Sequence, residues 1–416
     1  MSKAPQEVID SLYRIVRDDK FDDLSSILSL YPLMNQRISP PSESVPQILG
    51  DYPPILSIAC FYNSFESVKN LLLNKAEIRQ TDGSGLFPIH FAAAGGSMQI
   101  IHYLEEKGAS FVQDVNDNDN LGNIPLSYAI EFNHLEVVQY ILSKNPRLIN
   151  HKNKSESTFM HIAASCGFLN IANFLKDNGA SIDSPDQYQY RPLHFASQNN
   201  HGDLVTFLLQ NGADPTHKCI GEQTALSLAL SQCCLSSISA FYDFGISLDE
   251  PNEANLTPLM IASQIASNEL IEFLLKKKMT IDKVGYKNRT ALMFAVISGD
   301  ETCVELLLDA NADMSLVDLN ENNVFHLAAK YDQKDVLSLL FDKLNDDNLD
   351  LCSAENSKGR TPLYYAVSLS SIECTSLLLE NGVDHQLDDL LPIAEKNGDQ
   401  EIIALLNDEE AVLTSD

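Results

Sequence analysis

Four of the ten histidines, His90, His161, His194 and His326, stand two residues before an alanine in similar stretches of chain. An imidazole can trade protons near neutral pH or bind a metal ion, so a row of them invites both readings. Each copy is at least 33 residues from the next and would ride on its own helix. Packed helices lie about 8–10 Å apart, whereas a zinc ligand must come within about 2 Å of its ion. The row is predicted to be structural.

Two other clusters resemble metal sites by composition. His217, Cys219, Cys233 and Cys234 could supply zinc ligands. The first pair should fall on a connecting finger and the second at the far end of the following helix, about nine residues or 13 Å away. Asp117-Asn-Asp119-Asn-Leu121-Gly122 resembles the start of a calcium loop. Leu121 stands where a ligand should be, however, and Tyr128 where a bidentate Glu should close the loop. Both are expected to be metal-free. The run Lys276 to Lys278 is read as a solvated helix end, where positive charge complements the helix dipole. There is no Gly-rich phosphate loop, HExxH helix, GxSxG elbow or kinase signature. No cofactor and no catalytic residue is predicted.

The elements that position these residues must be many. A chain of 416 residues exceeds what one core organises, and its 44% apolar and 21% charged residues are those of an ordinary folded protein. The formal charge of −30 repels phosphate backbones and excludes nucleic acid as a partner. Eight cysteines occur without a CxxC pair, so reduced thiols are expected. The N-terminal stretch is charged and amphipathic rather than signal-like. No apolar run approaches the roughly 20 residues that a bilayer demands. The expected location is cytoplasmic, with the nucleus as a second compartment.

A period of about 33 residues organises the chain. Ala59, Ala92, Ala129, Ala163, Ala196, Ala229, Ala262, Ala295, Ala328, Ala366 and Ala394 align as one small-residue position. Such a period marks a unit that buries its apolar face only when stacked. Each unit opens on a short helix, as in Phe87-Pro-Ile-His-Phe-Ala92, Arg191-Pro-Leu-His-Phe-Ala196 and Thr361-Pro-Leu-Tyr-Tyr-Ala366. Proline suits the first turn, where its missing N–H would have no partner anyway. After a Gly or Asn break a second helix carries apolar residues at helical spacing, such as Ile100, Ile101 and Leu104. It often ends in Gly, at Gly108, Gly179, Gly212, Gly245 and Gly382, with Asn145 and Asn311 in the same place. That place favours a left-handed backbone. Cys233 and Ala266 replace the inter-helix Gly, while Lys75, Lys278 and Leu344 replace the terminal one. Repeats six and seven are therefore expected to be the weakest.

The Thr/Arg-Pro-Leu-His-like helices, the turn Gly212-Ala-Asp214 and the period together resemble the ankyrin-repeat family over about residues 52–407. The resemblance implies an all-α fold, an ankyrin-repeat solenoid of stacked helix-turn-helix units with short hairpin fingers. It also implies that the recurrent histidine hydrogen-bonds within its turn and orders it. Five segments are expected: an N-terminal capping helix pair at 1–34, a Pro-rich finger or linker at 35–54, ankyrin repeats at 55–390, a C-terminal capping repeat at 391–407 and an acidic tail at 408–416. The capping pair should bury Leu12, Val16, Leu24, Ile27 and Leu28.

Members of the family recognise partners with the finger tips and the inner surface of the first helices. On this chain those places hold Phe61, Tyr62, Phe132, Ile265, Ile297, Tyr331 and Leu369 on the helices, and Leu86, Tyr188, Tyr190 and Tyr286 on the fingers. The function expected is a non-catalytic scaffold or adaptor that binds other proteins through this concave surface. The alternative is a regulatory or inhibitory subunit of an enzyme or chaperone assembly such as a ubiquitin ligase. Residues 341–416 hold 17 acidic and 4 basic side chains, so a partner with a basic segment is favoured. A monomer is expected, because stacked repeats contact only their neighbours.

Overall fold

The computed structural model describes residues 4–31, 33–110, 118–344, 349–383 and 387–413, with side chains through residue 407 apart from those of 387 and 388. The described residues form 24 α-helices and four short 3-10 turns, with no β-strand. Two isolated bridges, Arg37 with Pro54 and Lys218 with Thr224, are the only extended pairings among them. The chain divides into two compact units, Met1–Leu228 and Ala229–Asp416.

The first unit opens with helices Gln6–Arg17 and Phe21–Leu30. Leu12, Val16 and Leu24 are buried as expected, joined by Ile9 and Tyr13, while Ile27 and Leu28 are only half-buried. Helix pairs then follow at the sequence period: Ile55–Phe61 with Phe65–Leu73, Pro88–Gly95 with Met98–Glu106, Pro125–Glu131 with Leu135–Lys144, Phe159–Cys166 with Leu169–Asp177, and Pro192–Gln198 with Gly202–Gln210. First helices pack on first helices and second helices on second helices. The Pro-rich stretch between cap and repeats is tied down. It contains one 3-10 turn, Gln47–Leu49, with Ile38 and Leu49 buried.

The second unit repeats the scheme with Pro258–Gln264 and Asn268–Lys276, Ala291–Ser298 and Glu301–Asp309, Val324–Lys330 and Lys334–Asp342, and Pro362–Ser368 and Ile372–Glu380. It closes on Leu387–Asn397 and Gln400–Leu413. This last pair corrects two expected boundaries. The terminal pair begins at Leu387 rather than 391, and 408–413 continue its second helix instead of forming a tail. The first-helix alanines are all without exposed surface, Ala59 through Ala394 alike, because a larger side chain there would push neighbouring helices apart.

Most of the expected left-handed turns are present; Leu344 is not among the left-handed residues. Cys233 has φ 55°, Ala266 54°, Lys75 66° and Lys278 58°, although a Cβ costs about 1–2 kcal/mol in that conformation. Asn145 is a correction. It has φ −139° and caps the 3-10 turn Pro146–Asn150, since a residue before proline is driven to extended backbone.

Candidate protein-binding surface

The recurrent histidines are built into the repeat rather than offered to a ligand. All four are buried. Nδ1 accepts the N–H of the residue three positions earlier: Phe87 to His90 at 3.1 Å, Thr158 to His161 at 3.0 Å, Arg191 to His194 at 3.2 Å and Asn323 to His326 at 3.3 Å. With Nδ1 accepting, Nε2 carries the proton, and in three of the four it donates forward to the next finger, whereas His90 Nε2 is buried without a partner among the described residues. The three bonds reach the carbonyls of Tyr190 from His161 at 3.1 Å, His217 from His194 at 3.2 Å and Arg360 from His326 at 3.0 Å. Burial disfavours the charged ring, holding His90, His194 and His326 down to about 4 and lowering His161 as well. These rings are neutral, and His161, His194 and His326 fasten one repeat to the next.

A second fastener escaped the sequence reading. His134 Nε2 donates back to the Ala94 carbonyl at 2.8 Å and His201 to that of Ser165 at 3.0 Å. Each ring lies against an inter-helix glycine of the preceding repeat. A Cβ on Gly167 would meet His201 Nδ1 at 2.5 Å.

The fingers share a motif that was also missed. In most fingers an Asp or Asn eight residues before the histidine position folds the tip by accepting backbone N–H groups two and four residues ahead, while Cys219 and Gly285 hold that place in two others. Asp119 accepts from Leu121 and Asn123, both at 2.8 Å, Asp186 from Tyr188 and Tyr190, Asn252 from Ala254 and Leu256, and Asp318 from Asn320 and Asn322. Asp119 also accepts the Tyr128 hydroxyl at 2.6 Å. The carboxylate of the calcium-like run is thus spent on the chain; Asp117 lies outside the described residues. Tips join their neighbours by backbone hydrogen bonds. Asn120 N–H donates to Ser84, Lys154 to Leu121, Gln187 to Ser155 and Ile220 to Tyr188, each at 2.9 or 3.0 Å. In the second unit Tyr286 donates to Asn255, Leu319 to Lys287 and Ser357 to Asn320.

No group of three or more His, Cys, Asp or Glu side chains among the described residues is arranged to hold a metal. Cys219 and Cys234 are buried and Cys233 is half-buried. The lysine run is engaged within its unit, with Lys277 Nζ 4.3 Å from the Tyr242 ring centre and Lys276 paired to Glu272 at 3.1 Å.

The eleven surface residues divide. Tyr188, Ile265, Tyr286, Tyr331 and Leu369 are exposed. Phe61, Tyr62, Phe132, Tyr190 and Ile297 are half-buried. Leu86 is a correction: it is 3% exposed, because the Asp82 carboxylate takes its N–H at 2.7 Å and turns the side chain inward. Tyr190 is occupied too, its ring 5.6 Å from both His194 and Phe195.

The structure brings several of the others together. Phe61, Tyr62 and Phe132 form an edge-to-face cluster with ring centres 5.4 and 5.7 Å apart. Tyr286 and Ile297 line one cavity of about 380 Å³ with Leu256, Arg289 and Phe294. Leu121, Ile220 and Leu319 are exposed tip residues that went unnoticed; their place one or two residues after the finger's first residue was the available signal.

Comparison with known proteins agrees with this geometry. A family model described as ankyrin repeats matches residues 56–150, 144–219, 224–318 and 310–389. The chain belongs to the ankyrin-repeat family, whose repeats mediate protein–protein interactions. It is 25% identical over 405 residues to the human transient receptor potential cation channel subfamily A member 1, covering 86% of this chain and 30% of that one. It is 22% identical over 345 residues to the Arabidopsis thaliana E3 ubiquitin-protein ligase KEG, covering 78% and 21%. The human BCL-6 corepressor-like protein 1 is 37% identical over 90 residues, 22% of this chain and 5% of that one. The chain spans less than a third of each of these relatives. No helix among the described residues is long and apolar enough to cross a membrane.

Proposed function

We propose that the chain is a non-catalytic scaffold or adaptor, a monomer of the cytoplasm or nucleus, that holds partner proteins against its finger tips and inner helix ends. The observation that carries this reading is the set of exposed apolar side chains on tips that backbone hydrogen bonds tie to their neighbours. Tyr188 and Ile220 in the first unit, and Tyr286 and Leu319 in the second, are between 51% and 71% exposed. A fold that packs every first-helix alanine away yet leaves these in water is holding contact area for another surface.

The partner carries a basic segment drawn by the acidic field of residues 341–416. A photo-crosslinking amino acid placed at Tyr188 or Tyr286 should capture the same partner in cells. The same group at Leu73, 75% exposed on a second helix, should not. Equal capture from all three positions would remove the assignment of the binding face.

A further inference from the structure

The first unit contains a second cavity, of about 260 Å³, whose lining includes Ser127, Glu131, Ser157, Ser165, Cys166 and Phe195. It opens beside the ends of three successive first helices, Pro125–Glu131, Phe159–Cys166 and Pro192–Gln198. Phe195 is fixed as one wall by His161 and Tyr190, with ring centres 5.7 and 5.6 Å away. Glu131 stands exposed at the mouth. Its carboxylate has no hydrogen bond and no ion pair among the described residues.

No lysine or arginine lines the cavity, and His161, whose ring also lines it, is neutral because it is buried. Shielding by the surrounding protein, and then the charge of Asp119, raise the Glu131 carboxyl above its ordinary range. The chain has placed a carboxylate where nothing of its own compensates it. The same lining includes an aromatic ring and serine hydroxyls. A carboxylate and an aromatic ring lining one cavity complement a cation that also donates hydrogen bonds. The volume falls below that of most small-molecule sites and suits one long side chain.

We propose that this cavity seats a single lysine or arginine side chain of a partner protein, with Glu131 as its counter-ion and Phe195 as its aromatic wall. The inference rests on the protein-binding reading above and gives it a chemistry. Phe132, the next residue, belongs to the Phe61–Tyr62–Phe132 cluster. The element recognised is therefore an apolar residue followed or preceded at fixed spacing by a basic one.

A library of random peptides displayed on phage, panned over the full chain, tests this. The enriched peptides should share a Lys or Arg at constant distance from an aromatic or aliphatic residue. A synthetic copy should bind Glu131→Gln about tenfold more weakly or worse, and panning on Glu131→Lys should abolish the basic preference while keeping the apolar one. Enriched peptides that respond to Phe132→Ala but have no basic position, or that ignore Glu131→Gln, would overturn the cavity assignment and leave the protein-binding reading standing. Failure to enrich any peptide sensitive to Phe132, Tyr188 or Glu131 would overturn both.

Discussion

Phe61 and Phe132 belong to repeats two places apart and nevertheless meet edge to face, 5.7 Å between ring centres. The intervening repeat allows this because it has Gly95 there, whose missing side chain leaves room for the Phe61 backbone carbonyl. Edge-to-face pairs contribute about 0.5–1.5 kcal/mol beyond area burial. A double-mutant cycle of Phe61→Ala and Phe132→Ala, followed by urea unfolding, should yield a coupling in that range. Additive losses would mean that the rings do not support each other. With a partner in hand, Phe61, Tyr62 and Phe132 all changed to Ala should speed dissociation more than they slow association.

Acid should loosen the stack. The unfolded chain protonates its histidines near pH 6.5, whereas His90, His194 and His326 resist protonation until about 4 when folded. Between those values protons favour the unfolded chain, so the stabilisation is whole above about pH 6.5 and declines as pH falls toward 4. Asp82, pushed up to about 6 by burial, works in the opposite sense, as do Glu131 and Asp183, whose carboxyls burial also raises. The urea midpoint should fall from pH 7 to pH 5. His326→Gln should be weaker at pH 7 and lose less on acidification. Parallel profiles for the two proteins would show that His326 does not contribute to the slope.

Backbone strain is predicted to set the order of local opening. Ala266 and Cys233 hold left-handed turns that glycine would adopt more cheaply. Amides of 230–270 should exchange faster than those of 160–215. Ala266→Gly should stabilise by about 1 kcal/mol and slow that exchange. Gly167→Ala should cost more than this, because the same backbone strain adds to the clash with His201. A neutral Ala266→Gly change would refute the account.

Association with a basic partner should be fast at low salt and fall as salt is added, since exposed charges are screened beyond about 8 Å at physiological ionic strength. Changing Asp384, Asp388 and Asp389 to Asn should slow association and flatten that dependence. Asp389 is exposed; Asp384 and the side chain of Asp388 lie outside the described residues. Stopped-flow rates at several salt concentrations decide the matter.

The frame of this structure was legible because it is periodic. One alanine position, read eleven times, gives the buried seam of the first helices, and Gly or its substitutes mark most of the turns. Asn145 misled because the turn rule was applied without the proline that follows it. Leu86 misled because its direction depends on a hydrogen bond from its own N–H to Asp82, four residues back, a local geometry that no hydropathy pattern carries. The cavity at Glu131 was invisible for a different reason. Its walls come from three repeats, and only stacking reveals that a carboxylate lacks a partner.

The forward hydrogen bond from three of the turn histidines has one more consequence. His161, His194 and His326 each donate to a carbonyl of the following unit, so a repeat carries the donor for its successor and the acceptor for its predecessor. A tandem duplication of such a segment would bring both halves with it, and the new junction would be joined by the same bond as the old ones. Loss of the downstream copy strands a buried imidazole N–H, whereas loss of the upstream copy frees a carbonyl that water can reach. The array can therefore lengthen internally without redesign, yet it is more vulnerable to being shortened from one end than from the other.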